Sequence, residues 1–191
     1  MDYLKELVRE NRSYRRFNQS VNISKEMLTD LINLARLSPS ARNAQTIKYI
    51  ISNTPERNDL IFPHLSWADY LKDWDGPVEG ERPSAYLIMV NDSRISDAHY
   101  CDQGIAAQSI LLGAVEKGFG GCIIAAVDKP KLQKDFDIPE YFKIIQVLAL
   151  GKPVEKVVVE DAVDDEVKYY RDSNGVHHVP KRSLDDLILD F

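Results

Sequence analysis

The sequence predicts an α+β layer fold, with helices packed on a modest mixed sheet, and three observations carry that expectation. Segments at Thr46–Ile51, Ala85–Val90 and Ile144–Leu150 have the length and the β-branched, apolar composition of strands. Between them lie stretches whose apolar residues recur at helical spacing. No internal repeat, heptad run or low-complexity tract is present, which leaves a layered domain as the architecture. With 191 residues, 44% of them hydrophobic, the chain is long enough to bury a substantial core. One domain over 1–191 is expected, with 152–191 as a C-terminal arm.

Taken in order, Asp2 can cap a short helix that carries Leu4, Leu7 and Val8 on one face and ends near Asn11. Ser24 is placed to cap a second helix through Met27, Leu28, Leu31, Ile32 and Ala35, which Pro39 stops. Ser38 to Gln45 is then a polar loop before the strand at Thr46. The interval from Ser52 to Ser84 carries Pro, Gly, many charges and both tryptophans, Trp67 and Trp74. It reads as a surface excursion with one short helix around Trp67 to Lys72, long enough to cover a ligand.

Asp102 to Lys117 is the most apolar helix, with Ile105, Ala106, Ala107, Ile110, Leu111 and Val115 leaving little polar face, so it belongs at the centre of the core. Gly118 suits the C′ position that ends it, and an apolar strand from Cys122 to Val127 follows. A short helix over Lys129 to Phe136 precedes the strand at Ile144. Beyond Gly151 and Pro153 the composition becomes highly charged, as expected of an arm. Within it, Asp172 to Gly175 should turn a hairpin between Tyr169–Arg171 and Val176–Val179. Ser183 and Asp186 form a capping-box pattern opening a last helix with Leu184, Leu187 and Ile188.

Acidic residues outnumber basic ones, 30 to 24, for a formal net charge of −6. No broad positive field is available to a nucleic-acid backbone, so any anion must be held by a local basic cluster. No stretch approaches the apolar length of a membrane span, and Met1 to Glu10 lacks the pattern of a secretory leader. A cytoplasmic location is the expectation. Cys101 and Cys122 have no metal-type spacing and read as reduced packing residues. His64, His99, His177 and His178 include no pair one helical turn apart. His177 and His178 would lie on opposite faces of a strand, so a metal site is not expected.

The densest chemical constellation is Arg12, Ser13, Arg15 and Arg16, because guanidinium forks beside a hydroxyl match phosphate oxygens. A solvated basic turn would look the same. Lys181 and Arg182 form a second basic pair that could converge on the same anion. The Ser38–Gln45 loop offers hydroxyls and amides to a flat polar ring, although any loop that ends a helix favours such residues. Gly118, Gly120 and Gly121 do not make a dinucleotide fingerprint: they follow a helix and precede a strand, and Ile123 takes the last position. Asp97, His99, Cys101 and Asp102 read as the start of a helix, not as a nucleophile with its base.

Four separated pieces together resemble the nitroreductase family of flavoproteins in order and spacing. They are Asn11-Arg12-Ser13-Tyr14-Arg15-Arg16-Phe17, Ser38-Pro39-Ser40-Ala41-Arg42-Asn43-Ala44-Gln45, Asp102-Gln103-Gly104-Ile105-Ala106-Ala107-Gln108 continuing to Gly118-Phe119-Gly120-Gly121-Cys122, and Pro180-Lys181-Arg182-Ser183-Leu184. The resemblance implies a central mixed, mainly antiparallel sheet flanked by helices, and a homodimer that exchanges its C-terminal arms. It implies FMN as cofactor and NADH or NADPH as reductant. Arg12, Ser13 and Arg15 would bind the FMN phosphate and ribityl chain, Arg15 would also reach the N1 and O2 edge of the ring, and Lys181 and Arg182 would complete the phosphate site. Pro39, Ser40, Asn43 and Gln45 would be contributed by the partner subunit, so that FMN sits at the subunit interface. Ile124, Ala125 and Ala126 would lie along the ring, and Gln103 would contact flavin or substrate.

The implied reaction is ping-pong hydride transfer from NADH or NADPH through flavin N5 to a nitroaromatic, quinone or similar small acceptor. The flavin would carry the chemistry, which accounts for the lack of a conspicuous acid and base pair. Arg15 is the expected tuning residue, and Trp67 and Trp74 are candidates for a lid or for core packing. Three departures stand out: Asn11 replaces a residue that is often basic, Thr46-Ile47 replaces a frequent proline and aromatic, and the Trp67–Trp74 excursion has no family template. Three alternatives stay open. One is a protein that holds FMN without turnover, one is a same-fold enzyme of reductive dehalogenation or enoate reduction, and one is an arginine patch that docks an acidic partner without a cofactor.

Overall fold

The computed structural model describes residues 2–190. The first helix, α1 (Tyr3–Glu10), leads into a short edge strand, β1 (Phe17–Asn18). Helix α2 (Lys25–Leu37) starts at Ser24, whose side chain accepts from the Met27 amide, and is followed by strand β2 (Ile47–Ser52). Asp2 stands at the start of α1 but makes no side-chain cap bond, contrary to expectation. Its backbone, at φ −86° and ψ 84°, falls short of the extended conformation from which a cap oxygen reaches back to the first-turn amides.

The Ser52–Ser84 interval does contain a helix, but earlier than the sequence suggested. Helix α3 (Pro55–Ile61) is capped by Thr54, which accepts from the Arg57 amide, and has proline in its first turn. Trp67 to Lys72 is not helical, since Ala68 takes φ +40° and both Trp67 and Ala68 are turned into the core. Strand β3 (Ala85–Asp92), helix α4 (Asp102–Glu116), strand β4 (Gly120–Ile124), helix α5 (Lys129–Asp135) and the long strand β5 (Phe142–Pro153) complete the body.

The main sheet runs β1-β5-β3-β2, with β4 on β5, and every pairing in it is antiparallel. All eight residues of β3 are buried, because this strand has a layer on each face. Ala85, Leu87 and Met89 pack with Leu28, Leu31, Ile110 and Leu111 of α2 and α4. Tyr86, Ile88 and Val90 pack with Ile61, Trp67 and Leu132 on the other side. The two-residue period of a strand thus divides the core between two layers. Helix α4 has eight buried residues and runs through the first of them.

The arm builds a second, smaller sheet from β6 (Val157–Asp161), β7 (Tyr170–Arg171) and β8 (His177–Lys181), in the order β6-β8-β7, with β6 parallel to β8. The hairpin joining β7 to β8 turns where expected. The Asp172 carboxylate accepts from the amides of Asn174 and Val176, and Gly175 takes φ +77°. The final helix reduces to one turn. Ser183 and Asp186 form the reciprocal capping bonds, yet Leu184, Leu187 and Ile188 are 61–73% exposed. A single turn without a buried face does not propagate. Cys122 is buried, but Cys101 is exposed and is not the packing residue the sequence suggested. No helix among the described residues is long and apolar enough to cross a membrane.

Candidate active site

The basic segment is fixed from three directions. Arg12 donates to the Val8 carbonyl at 2.7 Å, placing a cation at the C-terminal end of α1 where the helix dipole favours it. Ser13 bridges to Gly121, and the Tyr14 amide donates to the Gly121 carbonyl at 3.1 Å, so the segment lies against β4. Glycine at 120 is required for that approach, because a Cβ there would sit 2.6 Å from the Tyr14 ring, while a Cβ at Gly121 would sit 2.2 Å from the Ala149 carbonyl oxygen of the paired strand β5. The Glu155 carboxylate accepts from the amides of Arg15 and Arg16. Arg16 turns aside into a bidentate pair with Glu81, both bonds at 2.6 Å, which holds the Glu81 carboxyl below its ordinary range.

Two cavities meet at Arg15. The first, of about 260 Å³, is lined by Asn11, Arg12, Ser13, Arg15, Tyr169, His177, Val179 and Lys181. The two basic clusters that the sequence separates by more than 160 positions therefore share one cavity, except for Arg16 and Arg182, which pair with Glu81 and Asp165. Alternation along β8 explains the difference: His177, Val179 and Lys181 share one face. Two polar atoms here are enclosed without a partner, Arg12 Nε and His177 Nδ1. Buried donors and acceptors are normally satisfied, so orphans on one cavity wall point to a missing polar ligand.

The second cavity, of about 300 Å³, is lined by Arg15, Ser66, Trp67, Ala68, Asp69 and the run Ile123–Ala126. Ile124 is buried, whereas Ala125 and Ala126 are exposed to the cavity side. The excursion is tied down here: the Ser66 amide donates to the Ala126 carbonyl at 3.0 Å, and Leu65 bridges to Val127. Trp67 both packs in the core, beside Phe62 and Trp74, and forms part of the cavity wall. Trp74 lies under the Arg171 guanidinium, 4.8 Å from its ring centroid.

The Ser38–Gln45 loop is elsewhere. Ser40 donates to the Asp102 carboxylate at 2.7 Å and the Ala41 amide donates to it at 3.0 Å, pinning the loop to the start of α4. Arg42, Asn43 and Gln45 all hold φ between 52° and 55°, a left-handed conformation that non-glycine residues adopt only when the surroundings enforce it. Pro39, Ser40 and Gln45 line a groove with Ile32, Ile47 and Tyr49 that has no lining residue in common with the Arg15 cavities. Gln103 also stays apart, its side-chain oxygen 2.7 Å from His99 Nδ1.

Sequence reasoning missed Glu155, Tyr169 and His177. The signal for His177 was available: the two-residue period that separates it from His178 also aligns it with Lys181. Tyr169 is fixed by stacking, with the Arg15 guanidinium 5.1 Å from its ring centroid and the Tyr70 and His177 rings at 4.9 and 5.2 Å. Burial, with the Arg15 and Arg171 charges adding to it, pushes the His177 imidazole down to about 4, so it is neutral at physiological pH.

Comparison with known proteins follows the same lines. Residues 8–152 match the model of the nitroreductase family. A Bacillus subtilis protein named "Putative NAD(P)H nitroreductase YodC" is 25% identical over 173 residues, covering 75% of this chain and 86% of its own. An FMN-dependent nitroreductase from Clostridium difficile R20291 has a similar structure, with a TM-score of 0.64, 20% identity, and coverage of 83% of this chain and 91% of its own. A nitroreductase family protein from Streptococcus pneumoniae TIGR4 superposes over 98% of this chain and 100% of its own, with a TM-score of 0.67 and 15% identity.

Proposed function

The chain belongs to the nitroreductase family, and we propose that it is an FMN-dependent oxidoreductase that passes hydride from NADH or NADPH to a nitroaromatic, quinone or similar small acceptor, in a homodimer. The observation that carries this reading is the pair of cavities joined at Arg15. One is basic with orphaned polar atoms, and the other is walled by Ile123–Ala126 and Trp67. A phosphate on a short chain attached to a flat ring has that division of chemistry.

FMN, when bound, would supply hydride transfer through its N5 position. Arg12, Ser13 and Lys181 would hold the phosphate by charge-assisted hydrogen bonds. Arg15, positioned by Glu155 and Tyr169, would place positive charge beside the ring and favour its reduced, anionic form. Ile124 and Trp67 would exclude water, which strengthens that charge interaction. Donor and acceptor would occupy the same space in turn, giving ping-pong kinetics.

The position of the Ser38–Gln45 loop supports the dimer in this reading. On one chain it lies away from Arg15, so Pro39, Ser40, Asn43 and Gln45 would complete the flavin site of the partner subunit. Exposed Leu4 and Val8 on α1, and Leu184, Leu187, Ile188 and Leu189 in the arm, supply apolar surface for association. The test is an anaerobic visible spectrum of the FMN-reconstituted protein before and after NADH or NADPH. Bleaching of the flavin band within the mixing time is expected. A bound flavin that stays oxidised with both nucleotides refutes the reductase reading, and a monomer by sedimentation with FMN bound refutes the shared site.

A further inference from the structure

We propose that His177 is a direct ligand of the phosphate monoester in this site, contributing an imidazole N–H beside Arg12, Ser13 and Lys181. The inference rests on the flavin reading above, and concerns a residue outside the segment matched by the family model, which ends at 152.

The placement of His177 is dictated by its strand. β8 is the middle strand of the small sheet, and His177 lies in register with Val157 of β6 and Arg171 of β7. Its amide also donates to the Lys156 carbonyl at 2.9 Å. With the backbone fixed on both sides, the side chain must share a face with Val179 and Lys181, and all three line the basic cavity. His178, on the opposite face, is hydrogen-bonded to Glu160 through Nδ1 at 2.8 Å and faces the Asp172 carboxylate at 3.5 Å. His177 has no such carboxylate among the described residues. It is 2% exposed and its Nδ1 is enclosed without a partner.

Such an arrangement is costly unless something satisfies it, since an unpartnered buried polar atom is destabilising. The groups around the ring narrow the choice of partner. Arg15 and Arg171 are cationic, Tyr169 presents an aromatic face, and His178 lies beyond the strand. Arg12 and Lys181 share the cavity, and the nearby Glu155 carboxylate is committed to the amides of Arg15 and Arg16 and to Arg171. A cationic or apolar ligand is disfavoured there, and a dianion is matched. A neutral imidazole in this setting donates one N–H without adding a further charge to the crowded basic cluster.

The test measures binding, not turnover. Affinities of apo wild type and His177→Phe, which keeps an aromatic ring but has no N–H, for FMN and for riboflavin, which lacks the phosphate, are determined by quenching of flavin fluorescence. Loss of one hydrogen bond to a charged group predicts FMN binding weakened by roughly tenfold or more, with riboflavin changed by less than about twofold. Unchanged FMN affinity, or equal losses for both flavins, overturns the proposal. Wild type that binds neither flavin overturns the parent reading, and this one with it. Where His177→Phe fails to fold, the wild-type ring is followed by NMR. Its titration, near pH 4 without ligand, must move upward with FMN and stay in place with riboflavin, because only the phosphate brings a negative charge to it. A titration unmoved by FMN overturns the proposal.

Discussion

Glu155→Gln should destabilise the protein by about 3 kcal/mol, a loss of one buried charge that keeps the side-chain shape. Glu155 joins three distant parts of the chain. One carboxylate oxygen accepts from the Arg15 and Arg16 amides and the other from the Arg171 guanidinium at 3.4 Å, while the side chain is 1% exposed. A glutamine has a single acceptor oxygen for these donors, so its NH₂ group must face at least one N–H. Leaving such a donor unsatisfied costs roughly 1–3 kcal/mol, and breaking a buried ion pair costs roughly 3–5. The lower part of the second range applies, since the Arg171 side chain is 18% exposed and retains its stacking on Trp74.

For a chain of this length, about 3 kcal/mol corresponds to a fall of roughly 6–12 °C in the melting temperature. Urea denaturation of apo wild type and variant at equal protein concentration provides the direct measurement. Arg171→Gln in both backgrounds then isolates the pair, with a coupling of about 0.5–3 kcal/mol expected. A Glu155→Gln variant within about 0.5 kcal/mol of wild type would refute the reasoning, because that is the behaviour of a surface substitution. It would mean that α1, β4 and Glu81 hold the basic segment in place without Glu155.

Three further outcomes follow. Arg15→Ala should lose FMN on purification or reduce it more slowly with NADH, and unchanged flavin content together with an unchanged reduction rate would remove Arg15 from the site. Gly121→Ala should lose at least about 1–3 kcal/mol of stability, since its Cβ would meet the Ala149 carbonyl, and a variant as stable as wild type would show that β4 can move away from β5. The two adjacent histidines should act in opposite directions as pH falls. His177 is depressed from 6.5 to about 4, so the unfolded chain protonates first and stability is lost between those values; His177→Gln should flatten that decline in melting temperature. His178 is raised by Glu160 and Asp172, so its contribution is full below the ordinary histidine range and disappears as pH rises through its folded value; His178→Gln should therefore cost more at pH 6 than at pH 9. Melting curves for the two variants that run parallel to wild type across this range would contradict both assignments.

What could be read in the sequence was whatever depends on short-range pattern. β3 and α4 were legible because a fully buried strand and a nearly all-apolar helix carry no competing signal. Ser24 and Gly118 were legible because capping is a local event, and the Asp172–Gly175 turn for the same reason. The failures are equally specific. The Trp67–Lys72 segment looked helical, but Trp67 packs against Phe62 and Trp74, and the adjacent Ala68 is buried at a positive φ that no right-handed helix accommodates. The last helix has correct capping residues with nothing to pack against on its own chain, so local propensity was necessary without being sufficient.

The site divides in the same way. That Arg12, Ser13, Arg15 and Lys181 are basic or polar is visible at once, but which of them share a cavity depends on strand alternation and on competing carboxylates. Glu81 withdraws Arg16 and Asp165 withdraws Arg182, although Arg16 is adjacent to Arg15 and Arg182 to Lys181. Composition cannot tell a free arginine from a neutralised one; only the position of the opposing acid does. The same logic separates His177 from His178. One step along β8 exchanges a ring held between Glu160 and Asp172 for a ring without an acid, facing a basic cavity. Transferring that distinction to other sequences requires asking of each polar strand residue which charged residues stand an even number of positions along the same strand, as Lys181 does four residues from His177, not which stands next to it.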